Sequence, residues 1–423
     1  MKKIKIRGGR PLLGHIEIGG MKNAALPILF ATIITRDVCV IDNLPPVGDI
    51  QVALDILSTM GAVVTRHSPT VVEIDTRGVR QGTSPAALVR RLRGSTYLIG
   101  AELSRFGRAK VGLSGGCNFG ARPIDLHKKG FVALGATVTD DDGYVSARVT
   151  GRLKGTKIIM DNISVGATAN ILMAACTAEG TTTIENAAHE PHIVDLASFL
   201  NNCGAHISGA GTSVIKVRGV EKLHGCHYTI IPDMIEAGTY MVAAAATKGE
   251  VVLDNVISRH LDAVSAKMRE MGITVIDEGD RVTVKANGPF ASANIQAVPY
   301  PGFPTDMQPQ MTALLSIADG ISTVTENVFK KRFRYVEELQ RMGAAISVDD
   351  QNSTATIVGV RTLHGATVTS TDLRAGAAMV IAGLAAEGET CILEVAETIE
   401  RGYYDIVGKL QAVGADIELV DEA

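Results

Sequence analysis

The run Val336-Glu-Glu-Leu-Gln-Arg-Met-Gly-Ala-Ala-Ile-Ser-Val348 holds three signals in thirteen residues. Val336 to Met342 reads as a helix. Gly343 stands where that helix would need a left-handed cap, a conformation glycine adopts without a Cβ penalty. Ala345 to Val348 then reads as a short strand. The same grammar recurs at Gly61-Ala62, Gly135-Ala136, Gly204-Ala205, Gly272-Ile273 and Gly414-Ala415. The interval is roughly 70 residues, too regular to be chance and too long for a solenoid, so it reads as internal duplication.

Other elements repeat in step. Strands that end in Asn lie upstream of most pairs: Val38 to Asn43, Thr181 to Asn186, Val251 to Asn255 and Thr323 to Asn327. Their β-branched residues suit a sheet and the Asn suits a turn. Each unit also carries a largely apolar helix, expected at 24–34, 95–106, 169–178, 237–247, 310–318 and 375–386. A helix apolar all round is a buried one. These elements predict six βαβαββ modules in two domains of three.

The starts of the six buried helices hold polar residues: Lys22-Asn23, Arg93, Ser164 to Gly166, Asp233 to Glu236, Asp306, and Asp372 to Arg374. Asp, Ser and Asn are expected there as caps. Lys22, Arg93 and Arg374 are not, because a cation opposes the helix dipole at that end. Each is expected to meet an anion from elsewhere. A second concentration of chemistry is Leu113 to His127, where Cys117 lies among Gly115, Gly116 and Gly120 and is followed by Arg122-Pro-Ile-Asp-Leu-His127. The helix there is expected to hold Pro123 in its first turn. A thiol close to an Arg and a His is a candidate for a lowered pKa.

Composition bounds the rest. The 423 residues carry a formal charge of −4, are 46% hydrophobic and contain no Trp and 4% aromatics, which excludes a general polyanion binder and a base-stacking platform. The six cysteines, at 39, 117, 176, 203, 226 and 391, show no C-x-x-C spacing. With no signal-peptide pattern they are expected to be reduced thiols of a cytoplasmic protein. The tightest His/Cys group, His224-Gly-Cys226-His227, lacks further ligands nearby, so no metal is expected. No apolar run reaches the length of a membrane span.

Taken together, Gly20 to Pro27, Gly115 to His127, Ser164 to Gly166, Pro304 to Gln308, Thr371 to Arg374 and Glu400 to Tyr403 resemble the UDP-N-acetylglucosamine enolpyruvyl transferases over essentially the whole chain. The resemblance implies an inside-out α/β barrel fold, with one domain at 22–231 and the other at 1–21 plus 232–423. It implies small-molecule substrates, phosphoenolpyruvate and UDP-N-acetylglucosamine, with no cofactor, nucleic acid or membrane partner.

Residue by residue, the resemblance makes Cys117 the acid or ligand-release thiol, open to a phosphoenolpyruvate adduct and to fosfomycin. It makes Asp306 the proposed base for the sugar 3′-hydroxyl. Lys22, Arg122 and Arg401 become the phosphate cluster, with Asn23 beside them and Arg374 near the phosphoenolpyruvate carboxylate. Arg122, Pro123, Ile124, Asp125 and Leu126 would line the uracil. Asn162, Ile163, Ser164, Val165 and Gly166 would form the diphosphate turn, and Arg93 would lie on the nucleotide side. Asn23 and Asp306 would orient the amino sugar, with Val328 and Phe329 as its apolar wall. Asp49, Glu190, Asp233, Glu236, Arg332 and Asp372 read as supporting salt-bridge or hinge residues. Met21, Pro46, Gly48, Asn162 and Met234 depart from the family pattern, mostly by removing positive charge expected at a cleft rim. Two rivals stay open: a UDP-sugar-binding paralogue without strong catalysis, and the sister transferase acting on 3-phosphoshikimate.

Overall fold

The computed structural model describes residues 2–80, 85–112, 124–141, 143–329 and 331–421. It divides into two compact units, residues 20–231 and residues 1–19 with 232–423. Each is built on three central helices. In the first unit these are α1 (Lys22–Thr35), α2 (Tyr97–Phe106) and α3 (Val165–Ala175). In the second they are α4 (Met234–Ala246), α5 (Gln308–Leu315) and α6 (Leu373–Ala385). Every residue of α1 except Asn23 is buried, and so is every residue of α4 and α5. Within each unit the three helices pack on one another. No helix among the described residues is long and apolar enough to cross a membrane.

Six sheets surround these helices, and five share one plan. A short edge strand runs parallel to the strand that follows the central helix, and two antiparallel strands complete the sheet. Lys157–Ile159 pairs parallel with Thr181–Glu185, which pairs antiparallel with Val214–Arg218, which pairs with His206–Ser208. Alternate residues of these strands are buried, as the period of two requires when one face covers helices. The central helices lie inside, under the buried faces of the sheets. The sixth sheet has three strands among the described residues, Arg108–Gly112, Tyr144–Arg148 and Thr137–Asp141.

Two edge strands are exchanged. Leu13–Glu17 precedes α1 in the chain yet pairs with Glu250–Asp254, which follows α4. His227–Thr229 precedes α4 yet pairs with Val38–Asp42, which follows α1. The chain therefore passes between units at Gly19/Gly20 and again at Ile231/Pro232, between an edge strand and its helix. Lys2–Arg7 completes the sheet of the last repeat, between Glu389–Leu393 and Asp416–Asp421.

All six repeat glycines, 61, 135, 204, 272, 343 and 414, have positive φ, from 87° to 102°. Five of the six central helices begin two to four residues earlier than apolarity indicates, as at Val165 rather than 169 and Met234 rather than 237, and α2 begins two later, at Tyr97 rather than 95. The helix α5 ends at Leu315 rather than 318. Apolar character marks burial, whereas the helix starts at its cap. The helix expected to contain Pro123 starts at Asp125 instead.

The recurring Asn has a structural task. Its side-chain amide donates to the carbonyl at the end of the parallel edge strand: Asn43 to Ile230, Asn186 to Met160, Asn255 to Ile18 and Asn327 to Ala297, at 2.9, 3.0, 2.6 and 3.3 Å. Asn43, Asn186 and Asn255 also have positive φ, near 55°. Asn is one of the few non-glycine residues that tolerate this region. Asn186→Gly keeps the backbone and loses the donor, an expected loss of about 1 kcal/mol. Asn186→Ala adds the left-handed penalty, roughly 1–2 kcal/mol more. Thermal midpoints in the order wild type, Gly, Ala would bear this out; an Ala variant as stable as wild type would refute it.

Candidate functional site

Asp306 lies in the 3-10 turn Thr305–Met307 that leads into α5. Two guanidinium groups of its own unit hold it. Arg332 donates from Nη2 to Oδ1 and Arg374 from Nη2 to Oδ2, each at 3.0 Å. Both arginines are buried, while the Asp306 side chain keeps 27% of its surface exposed. Burial alone would raise the carboxyl, but the charges of Arg374 and Arg332 and their hydrogen bonds outweigh it and hold Asp306 well below the usual carboxylate range. Asp306 is thus an ionised acceptor at neutral pH. Arg374, though buried, is held protonated by Asp306.

Arg374 is the second residue of α6, and its cation stands at a helix N-terminus with the anion the sequence required. The Asp372 carboxylate caps the same turn, accepting from the N–H groups of Arg374 and Ala375 at 2.9 and 3.1 Å. The other arm of the fork donates to the Tyr403 hydroxyl at 3.3 Å. Tyr403 continues into a buried polar network with Thr239, at 2.9 Å, and Gln310, at 3.3 Å. Arg401 is half-buried two residues before Tyr403, in the turn Ile399–Arg401.

Glu326 is a residue that the sequence did not single out. It is buried at the end of the strand Ile321–Glu326. One carboxylate oxygen accepts from the Thr305 hydroxyl at 2.8 Å, next to Asp306. The other accepts from the N–H groups of Val328 and Phe329, at 2.8 and 3.0 Å. Glu326 therefore ties the Asp306 turn to the expected apolar wall, where Val328 is 38% exposed. Arg332 also stacks 5.2 Å from the centre of the Phe329 ring. A strand-end Glu beside Asn327 offered no signal of this.

The supporting carboxylates have structural roles too. Asp233 caps α4, accepting from Ile235 and Glu236 N–H at 2.8 and 3.2 Å. Glu236 pairs with Lys409 at 2.7 Å and accepts from Gly19 N–H at 2.9 Å. Met234 and Met21, two of the departures from the family pattern, are both buried side chains.

In the unit of residues 20–231, Lys22 opens α1 and its ammonium donates to Asp49 at 3.0 Å, both side chains buried. Asn23 follows, half-buried. Arg93 opens the 3-10 turn Arg93–Thr96 that leads into α2. Ser164 caps α3, its hydroxyl accepting from Ala167 N–H at 3.3 Å. Asn162 and Ile163 are exposed just before it, and Val165 and Gly166 are half-buried. Ile124 is buried, Leu126 is half-buried and Asp125 is exposed at the start of its helix. Cys117, Arg122 and Pro123 lie outside the described residues.

His127 differs from its expected role. It is buried, and burial pushes its imidazole down to about 4, so the ring is neutral at pH 7. The Asn170 amide donates to its Nδ1 at 2.9 Å, while Asn170 Oδ1 accepts from Gly100 N–H at 2.8 Å. The far edge of the ring faces Gly166, where a Cβ would meet Cε1 and Nε2 at 3.1 Å. His127 thus links α2, α3 and its own helix as a neutral side chain.

The chain is similar to known proteins along its whole length. The family model described as EPSP synthase (3-phosphoshikimate 1-carboxyvinyltransferase) matches residues 6–410. A UDP-N-acetylglucosamine 1-carboxyvinyltransferase of Clostridium botulinum is 52% identical over 99% of both chains. UDP-N-acetylglucosamine 1-carboxyvinyltransferase 3 of Caldanaerobacter subterraneus is 50% identical over 100% of both. Among solved structures, the enolpyruvyl transferase NikO from Streptomyces tendae superposes with a TM-score of 0.89 at 26% identity, covering 99% of this chain and 98% of its own. EPSP synthase from Acinetobacter baumannii superposes with a TM-score of 0.77 at 20% identity, covering 100% of both, which speaks for the fold alone. With this fold and full-length identity near 50%, the chain belongs to the UDP-N-acetylglucosamine 1-carboxyvinyltransferase family of enolpyruvyl transferases.

Proposed function

We propose that this protein transfers the enolpyruvyl group of phosphoenolpyruvate to the 3′-hydroxyl of UDP-N-acetylglucosamine and releases phosphate, the first committed step of peptidoglycan synthesis. The observation that carries this reading is the identity near 50%, over the whole length, to relatives named for that reaction. The cytoplasm is the proposed location.

The chemistry is an addition followed by an elimination. The sugar oxygen bonds to C2 of phosphoenolpyruvate while C3 takes a proton. The tetrahedral intermediate then loses a proton from C3 and phosphate from C2. Lys22, Arg122 and Arg401 are the proposed phosphate ligands, and Arg374 is the proposed partner of the carboxylate, where a planar fork suits two oxygens. Asp306 is the proposed acceptor of the 3′-hydroxyl proton. Its ionised state and partial exposure support that role. Cys117 is the proposed proton donor and covalent nucleophile. The exposed stretch 162–163 and the Ser164 cap at the start of α3 support a diphosphate turn there, since a helix N-terminus attracts anions.

The decisive assay is phosphate release from phosphoenolpyruvate with each of two acceptors. Release that depends on UDP-N-acetylglucosamine is expected. Release that depends on shikimate 3-phosphate instead would replace the acceptor, and UDP-sugar binding without release would favour the non-catalytic paralogue.

Two variants test the roles. Asp306→Asn keeps the shape but cannot take a proton, so kcat is expected to fall by about 10²–10⁴. Arg332→Gln leaves the carboxylate in place and is expected to cost less. The reverse ranking in steady-state kinetics would remove Asp306 from the proton path. Cys117→Ser is expected to slow turnover strongly while UDP-sugar binding, read by calorimetry, stays near wild type. Unchanged turnover would end the catalytic role of the thiol.

A further inference from the structure

Three cysteines far apart in sequence meet in the unit of residues 20–231. Cys39 lies in the strand Val38–Asp42, Cys203 at the end of the helix Pro191–Asn202, and Cys226 just before the edge strand His227–Thr229. The sulfurs of Cys203 and Cys226 are 3.4 Å apart. Cys39 lies beside both of them, and its sulfur is 3.7 Å from the Thr35 hydroxyl. The backbone holds the cluster together: His224 N–H donates to the Cys203 carbonyl at 3.0 Å, and Val40 N–H donates to the Cys226 carbonyl at 2.9 Å. Cys39 and Cys203 are fully buried, whereas Cys226 is partly exposed. Among the described residues no group of His, Cys, Asp and Glu has the arrangement to hold a metal ion.

We propose that Cys203 and Cys226 form a redox modification site, at which a hydroperoxide converts the two thiols into a disulfide that ties the helix Pro191–Asn202 to the edge strand His227–Thr229. The two sulfurs must close from 3.4 Å to a bond of about 2.05 Å, a movement that side-chain rotation and small backbone shifts supply. This site is separate from the transfer chemistry and does not rest on it.

The steps balance. The neighbouring thiols of Cys203 and Cys226 push the Cys39 thiol down. Cys226, the partly exposed member, loses its proton to water and attacks the distal oxygen of the hydroperoxide. An S–O bond forms, the O–O bond breaks, and the leaving alkoxide takes a proton from water. Cys203 then attacks the Cys226 sulfenic acid. The S–S bond forms, the S–O bond breaks, and hydroxide leaves as water with the Cys203 proton. Two thiols lose two electrons, and the hydroperoxide gains them.

The test is non-reducing peptide mapping of the intact protein after one equivalent of hydrogen peroxide. The expected result is one linked peptide pair joining Cys203 to Cys226, two hydrogens lighter, with a thermal midpoint raised by several degrees and restored by dithiothreitol. Cys203→Ser is expected to leave Cys226 as a sulfenic acid that dimedone traps. A link that uses Cys39 or Cys117 instead, or oxidation of Cys226 with no linked pair in the wild-type protein, would overturn the proposal. The wild-type map decides the matter even if a variant folds poorly.

Discussion

A helix buried on every side has no water to meet its first N–H groups, and that constraint shapes both the fold and the site of this chain. Such groups must be satisfied by protein or by ligand. At α3, α4 and α6 the protein does it, through Ser164, Asp233 and Asp372. At α1 and α6 the first turn also carries a cation, Lys22 or Arg374. That is unfavourable against the dipole unless an anion stands nearby. The structure supplies Asp49 to one and Asp306 to the other. Buried, apolar helices thus force charge and hydrogen-bonding groups to gather at their own first turns.

What could be read from the sequence is what is local. A positive φ depends on one residue and its turn, so the six repeat glycines stood out and all six have it. Burial of the central helices was legible from their unbroken apolarity. The need for an anion near Lys22 and Arg374 followed from a cation in a first turn. What escaped depends on distant parts of the chain. Nothing near Leu13 says that it pairs with a strand some 240 residues away. Nothing near Glu326 says that its two oxygens will join Thr305 to Val328 and Phe329. The neutrality of His127 is likewise a property of its burial against Asn170. Cys117, Arg122 and Pro123 rest on resemblance, since they lie outside the described residues.

The exchange of edge strands explains why the Asn clamps matter. A three-residue parallel strand has few ladder bonds, and parallel pairing is slightly weaker per residue than antiparallel. His227–Thr229 is such a strand, and its helix lies in the other unit. Without a local connection to hold it, the strand depends on what grips its ends. Asn43 takes the carbonyl of Ile230 at one end. At the other, Gly225 N–H donates to Asp37 at 3.0 Å and Cys226 packs into the thiol cluster. The repeat thus carries its own fastening, which allows the chain to leave one unit and return to it.

The state of Asp306 raises a sharper question about catalysis. A carboxylate held between two buried arginines is a good hydrogen-bond acceptor and a poor base, because the charges that keep it ionised also resist its protonation. In the proposed reaction, Arg374 has a second claim on it, the carboxylate of phosphoenolpyruvate. Its fork now divides between Asp306 and Tyr403, so a carboxylate that takes both arms of the fork would displace them. Drawing Arg374 off Asp306 would remove the largest of the charges that lower the carboxyl and leave Arg332 alone against burial, which raises it. Binding of one substrate would then increase the basicity of the group proposed to take the proton from the other. On this argument Arg332 sets the resting position of Asp306, Arg374 reports the occupied site, and the weakness of the base before substrate arrives belongs to the mechanism.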